Sequence, residues 1–235
     1  MAFAANYGMT NMATATRSGQ ASRSCSTADN KPLVFVVDDD SALRDSLGCL
    51  IADSGWRVVL FACATEFLAS PRAPSPSCLI LDVGLPDLNG LELQDRLASE
   101  RADMPIIFIT GRGDIPMTVQ AMKAGAAEFL AKPFTPAVLL RAIQIALERS
   151  RTCLEEEAKL QALRARYQAL SHREREVMAQ VVCGLLNKQV SAKLGISEIT
   201  VKQHRGRMMR KMRARSVQEL VTIAARLGIE TAGKG

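Results

Sequence analysis

From Leu33 onward the chain alternates short apolar runs with longer segments of helical period. The runs are LVFVV (33–37), WRVVLF (56–61), CLILD (78–82), PIIFIT (105–110) and EFLA (128–131). They are too short for typical helices and rich in Val, Ile and Leu, so they read as strands. Unbroken apolar runs fit strands covered on both faces. Between them, helices are predicted near 41–53, 64–69, 90–100 and 114–124, and a fifth from 135 onward, with Thr135 as cap and Pro136 in the first turn. Five strands alternating with five helices predict an α/β fold with a doubly wound parallel sheet. The Pro/Ser-rich loop SPRAPSPS (70–77) is expected to be exposed.

The pattern then changes. Residues 137–169 contain neither Pro nor Gly, so the fifth helix is expected to run on as a linker helix. Leu140, Leu147 and Leu154 recur every seven residues before the register meets Gln161, which leaves a short coiled coil and a plain solvated connector both open. Beyond it four short helices are predicted. SHRE (171–174) and SVQE (216–219) read as capping boxes opening the first and last. NKQVSAKL (187–194), the turn GIS and EITVKQHRGRMMRKM (198–212) form helix, glycine-containing turn, helix.

Charge divides the chain the same way. Residues 31–150 carry 11 Lys/Arg against 15 Asp/Glu, whereas 151–235 carry 17 against 8. A basic module joined to an acidic one points to nucleic acid at one end and cation or catalytic chemistry at the other. The 235 residues, 48% apolar, suffice for two modest cores. Six cysteines lack any C-x-x-C spacing and lie largely within apolar runs, which predicts reduced, buried thiols in a cytoplasmic protein. No apolar run reaches the roughly 18 residues of a membrane span. The first thirty residues have no continuous apolar stretch, so a disordered tail or a misassigned start fits better than a secretory signal.

FVVDDDS (35–41) ends a strand in three aspartates. In an open parallel sheet, ligands bind beyond the carboxyl ends of the strands where strand order reverses. Asp38 and Asp39 end the first strand, Asp82 the third, Thr110 the fourth and Lys132 the fifth, so all fall on one edge. Carboxylates gathered there need a cation, and oxygen-only ligands suit Mg²⁺ or Mn²⁺. With Thr110 and Lys132 opposite, the edge can hold a phosphoryl group that a carboxylate attacks to form an acyl phosphate. Asp82 is the expected nucleophile, because the loop after it, with Pro86 and an Asn89-Gly90 turn, exposes it. An alternative is a D-x-D phosphatase of the haloacid dehalogenase type on Asp38 and Asp40, disfavoured because no acidic pair follows Lys132.

In the helix 198–212, Met208 and Met212 fall within about 20° of Val201 at 100° per residue, forming a core stripe. Gln203, Gly206 and Arg210 point the other way, flanked by Lys202, Arg207 and Arg213, and no acid occurs from Ile199 to Val217. Such a face suits the DNA major groove. His204 borders the core and is expected to pack or to bond backbone.

FVVDDD, LILDVGLPDLNG and ITGRGDIPMTVQAMKAGAAEFLAKPF resemble the receiver domain of two-component response regulators. LSHREREVMAQVVCGLLNKQVSAKLGISEITVKQHRGRMMRKM resembles the LuxR-type helix-turn-helix, and the pairing resembles the NarL/FixJ class, FixJ-like regulators in particular. The resemblance implies a flavodoxin-like receiver at 32–150 and an all-α four-helix domain at 168–228. A disordered tail (1–31), a linker helix (151–167) and a C-terminal tail (229–235) complete the chain. It implies that Asp82 is the phosphoacceptor, that Asp39, Asp82 and the Gly84 carbonyl hold Mg²⁺ with Asp38 acting through water, and that Thr110 and Lys132, before a cis Pro133, contact the phosphate. Phe129 matches the aromatic switch position. Leu85 stands where the family usually has Met, a near-isosteric change, and Gly84 and Arg112 occupy positions bearing on acyl-phosphate lifetime. In the DNA-binding domain it implies that Lys202, Gln203 and Gly206 face bases while Lys188, Thr200 and Arg205 lie near phosphates. Expected partners are a sensor histidine kinase, double-stranded promoter DNA, a second copy when phosphorylated and RNA polymerase; activation is the commoner outcome, and no membrane is involved. Two alternatives remain: a ligand-sensing regulator with the same DNA-binding output, and a receiver that works independently of phosphorylation.

Overall fold

The computed structural model describes residues 31–71, 75–101, 103–111 and 115–229; the expected N-terminal tail, Cys25, Arg112 and nearly all of the expected C-terminal tail lie outside them. Strands β1 (Leu33–Val37), β2 (Arg57–Phe61), β3 (Ser77–Asp82), β4 (Ile106–Thr110) and β5 (Glu128–Ala131) alternate with helices α1 (Ser41–Asp53), α2 (Ala64–Ala69), α3 (Gly90–Glu100), α4 (Ile115–Lys123) and α5 (Pro136–Gln168). All pairings are parallel, in the order β2-β1-β3-β4-β5. The order reverses between β1 and β3, which puts the switch point where the aspartates stand.

Strand alternation sorts the core into two layers. Phe35, Val37, Leu79, Leu81 and Phe108 pack with Phe67 of α2 and with Leu93 and Leu97 of α3. Val34, Val36, Ile80, Ile107 and Ile109 pack with Leu47 and Ile51 of α1 and with Leu139, Ile143 and Leu147 of α5. Burial on both faces holds for β1, β3 and β4, but the edge strands β2 and β5 keep exposed positions. An edge strand has a neighbour on one side only, so its apolar run overstates its burial.

Three further expectations are corrected. Only Cys78 among the described cysteines is buried, where desolvation pushes its thiol far up. Cys49 and Cys153 are exposed, because they fall on outer faces of α1 and α5. The loop 70–77 turns inward at its end: Ser75 and Ser77 are buried, and Ser77 N–H donates to the buried Ser150 hydroxyl of α5 at 3.0 Å. Asn89-Gly90 is a helix start and not a turn, with Asn89 capping α3 through Leu91 N–H.

Helix α5 is continuous for 33 residues, about 50 Å at 1.5 Å per residue. Leu147 of the expected heptad is buried against the sheet and Leu140 packs there too, so these leucines serve the α/β core and the next turns form a solvated connector. Its far end belongs to a third core: Leu163 and Tyr167 pack with α6 (His172–Val182), α7 (Asn187–Leu194), α8 (Glu198–Met212) and α9 (Val217–Arg226). The Ser171–Glu174 capping box is present. At Ser216 the hydroxyl caps Glu219 N–H, but the Glu219 carboxylate accepts from Arg215 N–H, one residue upstream of the expected partner. Among the described residues no helix is long and apolar enough to cross a membrane.

Candidate phosphorylation site and nucleic-acid interface

The three aspartates divide their work. Asp40 is the N-cap of α1, accepting from Ala42 and Leu43 N–H at 2.9 and 3.2 Å. Asp38, fully buried, and exposed Asp39 follow β1, and buried Asp82 ends β3 beside them. One carboxylate oxygen from each of Asp38, Asp39 and Asp82 lies within 4.8 Å of the others. Lys132 reaches in from the end of β5, its Nζ 3.0 Å from Asp38 Oδ2 and 3.5 Å from Asp82 Oδ1, and the Lys132–Pro133 bond is cis. Burial pushes the Asp82 carboxyl above its ordinary value, Asp38 adds to the push, and Lys132 and the Gly84 N–H oppose it. Three carboxylates and one ammonium leave the cluster short of positive charge. An all-oxygen donor set of this charge and spread fits a hard divalent cation such as Mg²⁺.

The loop after Asp82 is held from two sides. Asp87, not singled out in the sequence, caps a neighbouring helix: its carboxylate accepts from Ala64 N–H, Thr65 N–H and the Thr65 hydroxyl, at 3.3, 2.9 and 2.8 Å. Despite some desolvation, the bonds from Thr65 hold this carboxyl below its ordinary value. No local pattern marks Asp87, because its partners lie more than twenty residues upstream. A Cβ on Gly90 would stand 3.0 Å from the Asp82 carbonyl oxygen and 3.1 Å from both the Phe108 ring and Val83 Cα, so only glycine lets α3 start this close to Asp82. A cleft of about 650 Å³ opens here, lined by Asp82, Gly84, Asn89, Thr110 and Gly111 among others. Thr110 pairs in register with Ala131, and half-buried Phe129 pairs with Phe108, the ring centroids 6.2 Å apart. Sequence had placed Asp38, Asp39, Asp82, Thr110 and Lys132 on one edge, and they meet there.

In the helical domain Val201, Met208 and Met212 are buried, whereas Lys202, Gln203, Gly206, Arg207 and Arg210 are exposed, as is Lys188 on α7. Ser197 caps α8 through Thr200 N–H, and its hydroxyl lies 2.8 Å from that of half-buried Thr200. Half-buried Arg205 turns its guanidinium to Asn187 Oδ1 at 3.0 Å. Half-buried His204 packs, with a buried Nδ1 that has no hydrogen-bond partner. Lys211 joins the layers beneath, donating to Glu174 Oε2 at 2.6 Å and to the Ala169 carbonyl at 3.1 Å.

Comparison with known proteins covers both units. Residues 34–144 match the response regulator receiver domain and 168–224 the bacterial regulatory proteins of the luxR family. Nodulation protein W of Bradyrhizobium diazoefficiens is 50% identical over 202 residues, 86% of this chain and 89% of that protein. The transcriptional regulatory protein FixJ of the same organism is 40% identical over 196 residues, covering 83% and 96%. The structure of the response regulator StyR superposes with a TM-score of 0.75 at 43% identity, covering 83% of this chain and 99% of that one. The chain therefore belongs to the two-component response regulators of the NarL/FixJ class, and is a phosphorylation-dependent, DNA-binding transcriptional regulator with a histidine kinase and DNA as partners, not an enzyme.

Proposed function

We propose that Asp82 is the phosphoacceptor. The observation that carries this is the convergence of Asp38, Asp39 and Asp82 within 4.8 Å of one another, with Lys132 Nζ against Asp38 and Asp82, at the switch point of the sheet. A carboxylate oxygen of Asp82 attacks phosphorus, the bond from phosphorus to the donor imidazole nitrogen breaks, and an acyl phosphate forms. Lys132 stands 3.5 Å from the attacking carboxylate and is placed to neutralise a phosphoryl oxygen, while Thr110 lines the same cleft and would donate its hydroxyl to another. Asp38, Asp39, Asp82 and the Gly84 carbonyl are the residues to hold Mg²⁺, which when bound offsets the charge developing on phosphorus oxygens.

In this reading the new charge draws Thr110 inward and Phe129 follows, remodelling the face of α4, β5 and α5. That face already presents Val119, Met122, Val138 and Ile145, each 43–47% exposed, which favours symmetric pairing of two copies there. The dimer sets two α8 helices on paired half-sites. Lys202, Gln203 and Gly206 meet bases, and Lys188, Thr200, Arg205, Arg207 and Arg210 lie along the backbone. The division into 32–150, 151–167 and 168–228, a cytoplasmic setting and activation through RNA polymerase complete the proposal.

The test is light scattering after gel filtration with beryllofluoride and Mg²⁺, together with phosphate incorporation from acetyl phosphate. Wild type is expected to incorporate phosphate and to dimerise, and Asp82→Asn to do neither. Phosphate retained on Asp82→Asn refutes the acceptor. A phosphorylated wild type that stays monomeric refutes the dimer while leaving the acceptor in place.

A further inference from the structure

Ile199 lies in the first turn of α8 and is 73% exposed, the most exposed of the large hydrophobic side chains described. At 100° per residue it stands about 160° from Val201, so it has no route to the core. The same arithmetic puts it within about 40° of Gln203, about 20° of Gly206 and about 20° of Arg210. An isoleucine therefore heads the outward stripe otherwise made of an amide, a glycine and a cation. Lys202, Arg207 and Arg213 flank that stripe, and no acid occurs between Ile199 and Val217. A hydrocarbon left in water on a cationic face, at the helix end that enters the groove first, is matched by one feature of a duplex: the C5 methyl of thymine in the major groove.

We propose that Ile199 is a specificity residue, packing its side chain on a thymine methyl one turn along the helix from the base that Gln203 reads. The inference rests on the α8 face being the DNA surface. Four residues of helix advance about 6 Å, close to two base-pair steps of about 3.4 Å, so the thymine lies about two positions from that base. Gly206 leaves open space beyond, with nothing within 4 Å of a built Cβ, which lets the helix sit low enough for a short side chain to reach the groove floor.

The experiment uses full-length protein with beryllofluoride and Mg²⁺, and a random double-stranded 25-base-pair library from which wild type selects its site. Each thymine of that site is then replaced singly by deoxyuridine, which removes only the methyl group. A single such replacement in one half-site is expected to weaken wild type about fourfold, the worth of burying about one methyl group, and to leave Ile199→Ala unaffected; Ile199→Ala, which loses the contact in both half-sites, should bind the unaltered site about as weakly as wild type binds a site carrying uracil in both. Because the side chain is exposed and Ala is the better helix former, the variant folds, which a thermal melt checks. Unchanged affinity of Ile199→Ala overturns the inference, as does a variant that keeps wild-type sensitivity at every uracil. Gln203→Ala separates the levels: if it weakens binding while Ile199→Ala does not, only the methyl contact is wrong. If neither variant weakens binding, or the library yields no preferred sequence, the α8 reading falls as well.

Discussion

Neutralising Asp82 should make the metal-free protein more stable. At an effective dielectric near 20, charges about 4.8 Å apart repel by about 3.5 kcal/mol, and Asp82 faces two such neighbours, Asp38 and Asp39. Its attraction to Lys132 across 3.5 Å is worth about 4.7 kcal/mol on the same scale. Asp82→Asn removes both repulsions and the one attraction, a relief of about 2 kcal/mol. Screening of exposed Asp39 lowers this, and release of the buried carboxylate's desolvation raises it again, so about 1–2 kcal/mol is expected. For a receiver of this size that is a rise of about 5–10 °C. Trp56 is the single tryptophan and packs on the α1/α5 side of the sheet, so its fluorescence in EDTA follows this unit alone. Adding Mg²⁺ to about ten times its dissociation constant should lift wild type by about 1.4 kcal/mol and the variant by far less, closing the gap. Lys132→Met is the sign control. It strands the buried Asp38 carboxylate and should destabilise by about 3 kcal/mol or more. If Asp82→Asn melts at or below wild type in EDTA, the like-charge account of the cluster is refuted.

Three further outcomes follow from the same geometry. Leu186 caps α7 with no side-chain bond to the helix and is 70% exposed, so Leu186→Ser should stabilise the helical domain by about 1 kcal/mol in a urea titration followed by far-UV circular dichroism; a loss of stability would mean the leucine packs in a way its exposure denies. Gly90→Ala forces a Cβ to 3.0 Å from the Asp82 carbonyl oxygen and should cost about 1–3 kcal/mol while slowing phosphate incorporation from acetyl phosphate. Glu174, despite desolvation, has its carboxyl held below its ordinary 4.5 by Lys211 and by Ser171 N–H. A depressed folded value means its contribution is complete above the unfolded value and disappears as pH falls through the folded one. The acid limb of stability below about pH 4.5 should therefore flatten in Glu174→Gln, measured by urea midpoints between pH 3 and 6.

How far the sequence could be read depended on whether a residue's partner lay within reach of a local pattern. β1, β3 and β4 stood out because a strand covered on both faces must be apolar throughout. The aspartates stood out because strand ends and the switch-point rule fix their place without any contact being known. The bonds from Asp87 to α2 and from Ser77 to Ser150 could not be read, since each joins segments that only the folded sheet brings together. The Pro/Ser composition of 70–77 pointed outward for the same reason that it misled: composition describes a loop's freedom in the unfolded chain, whereas Ser77 is buried where its N–H meets the Ser150 hydroxyl of α5. Ile199 shares the period of Gln203, Gly206 and Arg210, but an exposed apolar residue carries no charge signal of its own, so only its 73% exposure marks it.

The long helix shows how one pattern can be right in extent and still silent on cause. Absence of Pro and Gly over 137–169 permits a helix but does not hold one together in water. Two cores anchor it, through Leu139, Ile143 and Leu147 at one end and Leu163 at the other. The exposed turns between are supported by side-chain pairs at helical spacing, Glu148 with Arg151, Glu156 with Lys159 and Glu157 with Gln161, each weakened by the surrounding water. Arg226 of α9 adds a tie to Glu156 at 2.6 Å. Because these pairs are exposed and weak, the connector's helicity depends on the anchors, so loosening either core should fray the middle turns first.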